Sequence, residues 1–155
     1  AIGQGYFLTT PIEMAVYTAS IANDGKIITP RLVKTDSLEA EIPLGSSASK
    51  LEQIDIPEEY FKIVKEGMRM AVTEGTAQGL SYPDLKIAAK TGTAEVGGKK
   101  NFSHSWIVGF YPYENPKYAF AAVLEKGPAG NTIGAPYAMK RFFDWLKLYH
   151  PEYVK

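Results

Sequence analysis

Cysteine is missing from all 155 residues of this chain, which excludes disulfides and zinc-thiolate sites and leaves the redox compartment open. Histidine is nearly missing: His104 and His150 stand far apart and make no metal-binding spacing. Neither sign of charge is in excess, because 17 Lys and Arg balance 17 Asp and Glu. The basic residues are also scattered, so nothing draws the chain to a polyanion and nucleic acid is not expected as a partner. No apolar run reaches the roughly 20 residues of a membrane-spanning helix, and the first residues lack the basic, apolar and small-residue regions of a signal peptide. Ala1-Ile2-Gly3-Gln4-Gly5 has no initiator methionine and opens on a glycine-rich turn. We therefore expect a piece of a longer chain, with any anchor or export signal upstream.

What is present suffices for one domain with a real core. Thr9 and Thr10 as caps, Pro11 in the first turn, and Ile12, Ala15, Val16, Ala19 and Ala22 at helical spacing predict a helix ending near Asn23-Asp24-Gly25. Lys26 to Val33 reads as a short extended edge segment interrupted by Pro30, and Asp36 to Ile56 as a polar loop. Pro57, Glu58 and Glu59 open a second helix with an apolar face of Tyr60, Phe61, Ile63, Val64, Met68 and Val72, stopping near Glu74-Gly75. Leu85 to Ala94, Ser105 to Pro112 and Tyr118 to Lys126 predict three strands, the last two joined by the hairpin turn Tyr113 to Lys117. A final helix over Ala138 to Tyr149 covers the sheet with Met139, Phe142, Phe143, Leu146 and Tyr149. The expected class is α+β, a three-strand antiparallel meander packed with helices.

The chemistry concentrates in Ile87-Ala88-Ala89-Lys90-Thr91-Gly92-Thr93-Ala94-Glu95. A strand alternates its faces, so Lys90 and Gly92 point one way and Thr91 and Thr93 the other. Glycine weakens a strand unless something must approach its backbone closely. An extended ligand pairing with the strand edge would do so, and the hydroxyls and ammonium around it suit a carboxylate.

Lys90-Thr91-Gly92-Thr93-Ala94 resembles the third signature motif of penicillin-binding proteins and serine β-lactamases. Its neighbours extend the resemblance over nearly the whole chain. Ile2-Gly3-Gln4-Gly5-Tyr6, Thr10-Pro11-Ile12-Glu13-Met14-Ala15 and Ile21-Ala22-Asn23-Asp24-Gly25 are similar to the stretch upstream of this motif in class B enzymes. His104-Ser105-Trp106-Ile107-Val108-Gly109-Phe110 and Asn115-Pro116-Lys117 are similar to the strands that follow it. The glycine-glutamine-glycine opening and Tyr6 are closer to the elongation type than to the septal type. The resemblance implies the C-terminal portion of a transpeptidase domain of the β-lactamase/transpeptidase-like fold, in a bacterial envelope protein facing outward from the cytoplasmic membrane, with no cofactor. It gives Lys90 an electrostatic role beside the nucleophile. It gives the Thr91 and Thr93 hydroxyls the carboxylate of a D-alanyl-D-alanine stem peptide or a β-lactam. It gives the Thr93 backbone N–H one of two oxyanion donor positions, and Gly92 the room for the acyl donor.

Two of the family's three motifs are missing. Ser47-Ala48-Ser49-Lys50 has the serine-lysine spacing, but it lies in a polar loop with no apolar helix around it and follows the glycine-glutamine-glycine stretch instead of preceding it. It is rejected as the nucleophile, and no serine-x-asparagine triplet occurs. This chain alone is expected to be inactive, and to associate with the missing part of its domain or with itself. His104 reads as a hydrogen-bonded structural residue, Trp106 as packing, and Gly97-Gly98-Lys99-Lys100 as a turn that fails the phosphate-loop spacing. Two rivals share the motif: a β-lactamase or carboxypeptidase of the same superfamily, and a non-catalytic sensor or scaffold that keeps the fold.

Overall fold

The computed structural model describes residues 7–30, 52–98, 101–130 and 133–154. Thr10 opens α1 (Pro11–Ala22) as a reciprocal cap: its hydroxyl accepts from the Glu13 N–H, and the Glu13 carboxylate accepts from the Thr10 N–H at 2.7 Å. These bonds, the backbone one first, hold the Glu13 carboxyl below its ordinary range. The helix ends where Asp24 and Gly25 take positive φ angles of 53° and 90°. Gly25 is required there twice over, since a Cβ would come within 2.7 Å of Gln53 and 2.9 Å of Phe61. Of the extended segment expected over Lys26 to Val33, the described part shows one isolated bridge, Lys26 to Gln53, with 27–30 irregular, and 31–33 lie outside the described residues. Ser47 to Lys50 and the glycine-rich opening lie outside the described residues.

Helix α2 (Glu58–Thr73) starts at the expected proline, but only part of its expected apolar face is buried. Phe61, Met68 and Val72 pack inward, whereas Tyr60, Ile63 and Val64 are exposed. The helix therefore has two apolar stripes, and the described residues bury one of them. Lys65 joins the α1 turn through a 2.6 Å ion pair to Asp24. After a short 3₁₀ helix at Gln78–Leu80 comes the sheet, in the order β1 (Ala88–Val96), β2 (Phe102–Tyr111), β3 (Tyr118–Pro128), antiparallel throughout. This is the expected meander, with β1 starting three residues later than Leu85. Leu85 and Ile87 are apolar because they are buried in the irregular approach to the strand, not because they are paired.

The pleat sorts the core into two layers. On one face Ala88 and Phe110 meet Ile21 and Ala22 of α1 and Met68 of α2. On the other, Ala89, Ile107 and Tyr111 meet Met139, Phe143 and Leu146 of α3 (Ala135–Tyr149). Phe143 is the centre of that second layer, with edge contacts to Tyr111 at 5.1 Å and Phe120 at 5.5 Å between ring centroids. Burying such a ring contributes roughly 1.5–3 kcal/mol by area. Phe142 and Tyr149, expected on the same covering face, are exposed instead. Phe142 is adjacent to the inward Phe143, and the helical period turns the two about 100° apart, so both cannot point fully inward. Helix α3 also starts three residues before the expected Ala138, because Ser105 on β2 accepts from the Ala135 N–H at 2.9 Å and satisfies a helix-start donor from outside the helix.

Candidate active site

The four residues singled out lie together on the outer half of β1. Ala88 and Ala89 are fully buried, while from Lys90 to Val96 no residue is buried. Lys90, Gly92 and Trp106 share the α1/α2 face, with Trp106 opposite Gly92 in register. Thr91 and Thr93 share the α3 face, opposite Ile107 and Ser105. A Cβ on Gly92 would meet nothing nearer than the Trp106 Cβ at 3.4 Å, so the glycine is not demanded by packing within this chain.

β1 pairs with β2 alone, and no other described strand pairs with its second edge. The carbonyls of Ile87 and Thr91 both accept from side chains: from Arg69 Nη1 at 2.7 Å and from Lys90 Nζ at 2.6 Å. In an antiparallel ladder the backbone groups of alternate residues point to the same side. The odd-numbered positions thus direct their N–H and C=O groups away from β2, and the Thr93 N–H goes with them. Here the edge carries donors, flanked on one face by an ammonium and on the other by two hydroxyls.

Two further side chains join this constellation. Thr76, just past the end of α2, places its hydroxyl oxygen 2.6 Å from that of Thr91. Arg69 closes the inner end of the same edge by taking the Ile87 carbonyl. Neither was readable from spacing, since each reaches β1 across a turn. His104 is structural, as expected: its Nδ1 accepts from the Lys126 N–H at 3.1 Å, where the β2–β3 register shifts and Lys126 adopts φ 52°. The register shift is a bulge that the histidine ring holds.

With this geometry in view, the relatives are informative. The penicillin binding protein transpeptidase domain matches residues 1–143. The peptidoglycan D,D-transpeptidase MrdA of Salmonella typhimurium is 30% identical over 162 residues, covering 94% of this chain and 26% of that protein. A crystal structure of Pseudomonas aeruginosa PBP2 in complex with WCK 5153 is 34% identical with a TM-score of 0.74, covering 96% of this chain and 33% of that one. Penicillin-binding protein A from M. tuberculosis, solved as an imipenem acyl-enzyme complex, is 30% identical with a TM-score of 0.70, covering 94% and 32% respectively. The chain thus spans about a quarter of the curated relative and a third of the solved ones.

Proposed function

The chain belongs to the penicillin-binding protein transpeptidase domain family, and from that premise we propose that it is the C-terminal portion of a class B, elongation-type D,D-transpeptidase domain. In the intact domain a serine oxygen attacks the D-alanyl-D-alanine amide carbonyl of a stem peptide, the terminal D-alanine leaves with a proton on its nitrogen, and an amine then displaces the serine oxygen to form the new amide. The observation that carries this reading is the unpaired β1 edge at Thr93, with Lys90 and Gly92 on one side and hydroxyls on the other.

Each residue then has a task that its position suits. The stem peptide lies along the β1 edge, and Gly92 lets it approach because no Cβ projects there. The Thr91 and Thr93 hydroxyls donate to the terminal carboxylate, an acceptor-only group. The Thr93 N–H meets the carbonyl oxygen as the serine attacks and charge develops on it. Lys90 supplies positive charge beside the nucleophile, and the proton that leaves the serine passes to a lysine one turn along the serine's own helix. That serine and that lysine come from sequence outside this chain. β-Lactams enter as mimics of the same acyl donor, as the acyl-enzyme of the mycobacterial relative illustrates for that protein. The protein works at the outer face of the cytoplasmic membrane, although no helix among the described residues is long and apolar enough to cross one.

The exposed stripe Tyr60, Ile63, Val64 and Met70 on α2 is where the rest of the domain packs. The chain by itself is inert toward β-lactams and associates through that stripe. Labelling with a fluorescent penicillin tests the inertness: the full-length protein forms a long-lived adduct, and the 155-residue chain forms none. A monomeric chain that labelled stoichiometrically would falsify the reading.

A further inference from the structure

We propose that Thr76 is a positioning residue for the acyl-donor carboxylate, acting through Thr91 by fixing the direction of that residue's single hydroxyl hydrogen. The inference rests on the reading above, in which Thr91 binds the carboxylate.

Backbone geometry puts Thr76 where it is, independently of its own hydroxyl. The N–H groups of Glu74 and Gly75 both donate to the Met70 carbonyl, at 2.8 and 3.1 Å, and the Ala77 N–H donates to the Ala71 carbonyl at 2.8 Å. Gly75 turns so tightly over the helix end that a Cβ would lie 2.8 Å from the Ala71 Cα. On the far side Ala77 and Leu80 are sunk into the core beneath α3. The chain between these anchors passes from the α2 face of the sheet to the α3 face beside β1. Thr76 meets Thr91 during that passage, at an oxygen separation of 2.6 Å, within the range of a good O–H···O bond.

The proton count decides the direction of that bond. A threonine hydroxyl has one hydrogen to donate and lone pairs to accept with. A carboxylate only accepts, so Thr91 can bind it only by spending its one hydrogen on it. Thr91 must then receive from Thr76, and the Thr76 hydrogen holds the Thr91 rotor in the donating orientation. With no hydroxyl at position 76, Thr91 loses that partner and its hydrogen is free to turn elsewhere. Thr76 thus never touches substrate, yet it orders the group that does.

The test uses the full-length protein, with benzylpenicillin and its methyl ester as paired acyl donors and the second-order acylation rate as readout. T76V removes the hydroxyl at nearly constant shape. It should slow acylation by the free acid about five- to tenfold, the loss of one neutral hydrogen bond, and leave the ester within about twofold. T76S should restore the free-acid rate. T91V should show the same selectivity, and the T76V/T91V double variant should be no slower than T91V alone, because Thr76 has no other route to the ligand. If T91V is acid-selective and T76V slows both donors alike or neither, Thr76 is a structural tie and the inference falls while the site reading stands. If T91V itself lacks selectivity, the site reading falls and takes the inference with it. Should T76V not fold, T76A is measured in its place against the same outcomes.

Discussion

The two ends of β1 have opposite fates. Ala88 and Ala89 are sealed between α1 and α2 on one side and α3 on the other. From the next residue the helices no longer bury the strand, and Lys90 to Val96 stand partly or fully exposed. A strand covered at one end and bare at the other is a clamped lever: the core fixes its direction, and the bare end offers a straight, oriented edge. Two glycine positions in the sheet make the same point. Gly109 on β2 sits 2.5 Å from the Ala88 carbonyl and the Phe120 ring when given a Cβ, whereas Gly92 has space. One glycine serves packing, and the other is not held by packing among the described residues.

That contrast can be broken in four ways. Phe143→Ala, at the clamped end, should cost about 3–5 kcal/mol of stability, seen as a fall in urea midpoint without a change in slope. Thr93→Pro, at the bare end, removes one backbone donor where no ladder bond is lost. It should leave that midpoint nearly unmoved while acylation in the full-length protein falls roughly 100- to 1000-fold; an unfolded variant would show that the Thr93 N–H faces β2. Gly109→Ala should destabilise by about 1–3 kcal/mol through overpacking, and Gly92→Ala by less, with its penalty appearing in acylation instead. Equal thermal losses in the two glycine variants would erase the distinction between core and site.

The smallest effect is in pH. The Tyr82 hydroxyl, and then Lys140, hold the Asp144 carboxyl below its ordinary 3.8, and Lys147 does the same for Asp84. Lys86 lowers Glu114 from 4.5. Because these folded values are depressed, their contribution is present above the unfolded values and is lost as pH falls through the folded ones. At the alkaline end burial pushes Tyr111 up from 10.0 to about 12, and burial, then Asp144, raises Tyr82. Stability from Tyr111 is therefore complete below pH 10 and is lost toward pH 12. Thermal melts of Asp144→Asn and Tyr111→Phe should flatten the acid and alkaline limbs respectively, and a variant that leaves its limb unchanged would remove that residue from the account.

Much of the fold was legible because local chemistry agreed with it. Thr10, Pro11 and Glu13 start α1 by capping alone, and Pro57 starts α2. The Tyr113 to Lys117 turn pairs β2 with β3 as its residue types suggest. Lys90, Thr91, Gly92 and Thr93 were legible as a motif, and their alternation followed from the pleat. The misreadings share one cause. Leu85, Tyr60, Ile63, Val64, Phe142 and Tyr149 are apolar, and apolar character says that a surface wants cover without saying which surface gives it. Leu85 is buried outside any strand, and the other five are exposed in this chain.

By itself the amino-acid order determined the helix starts, the meander and the cluster of lysine, hydroxyls and glycine, because each depends on neighbours a few residues away. Tertiary structure alone decided that β1 stands at the edge of the described sheet, that its core cover stops at Ala89, and that Thr76 reaches Thr91 across 15 residues. Those facts depend on where a chain returns after a turn, and the backbone hydrogen bonds and buried volumes that set the return are summed over distant segments.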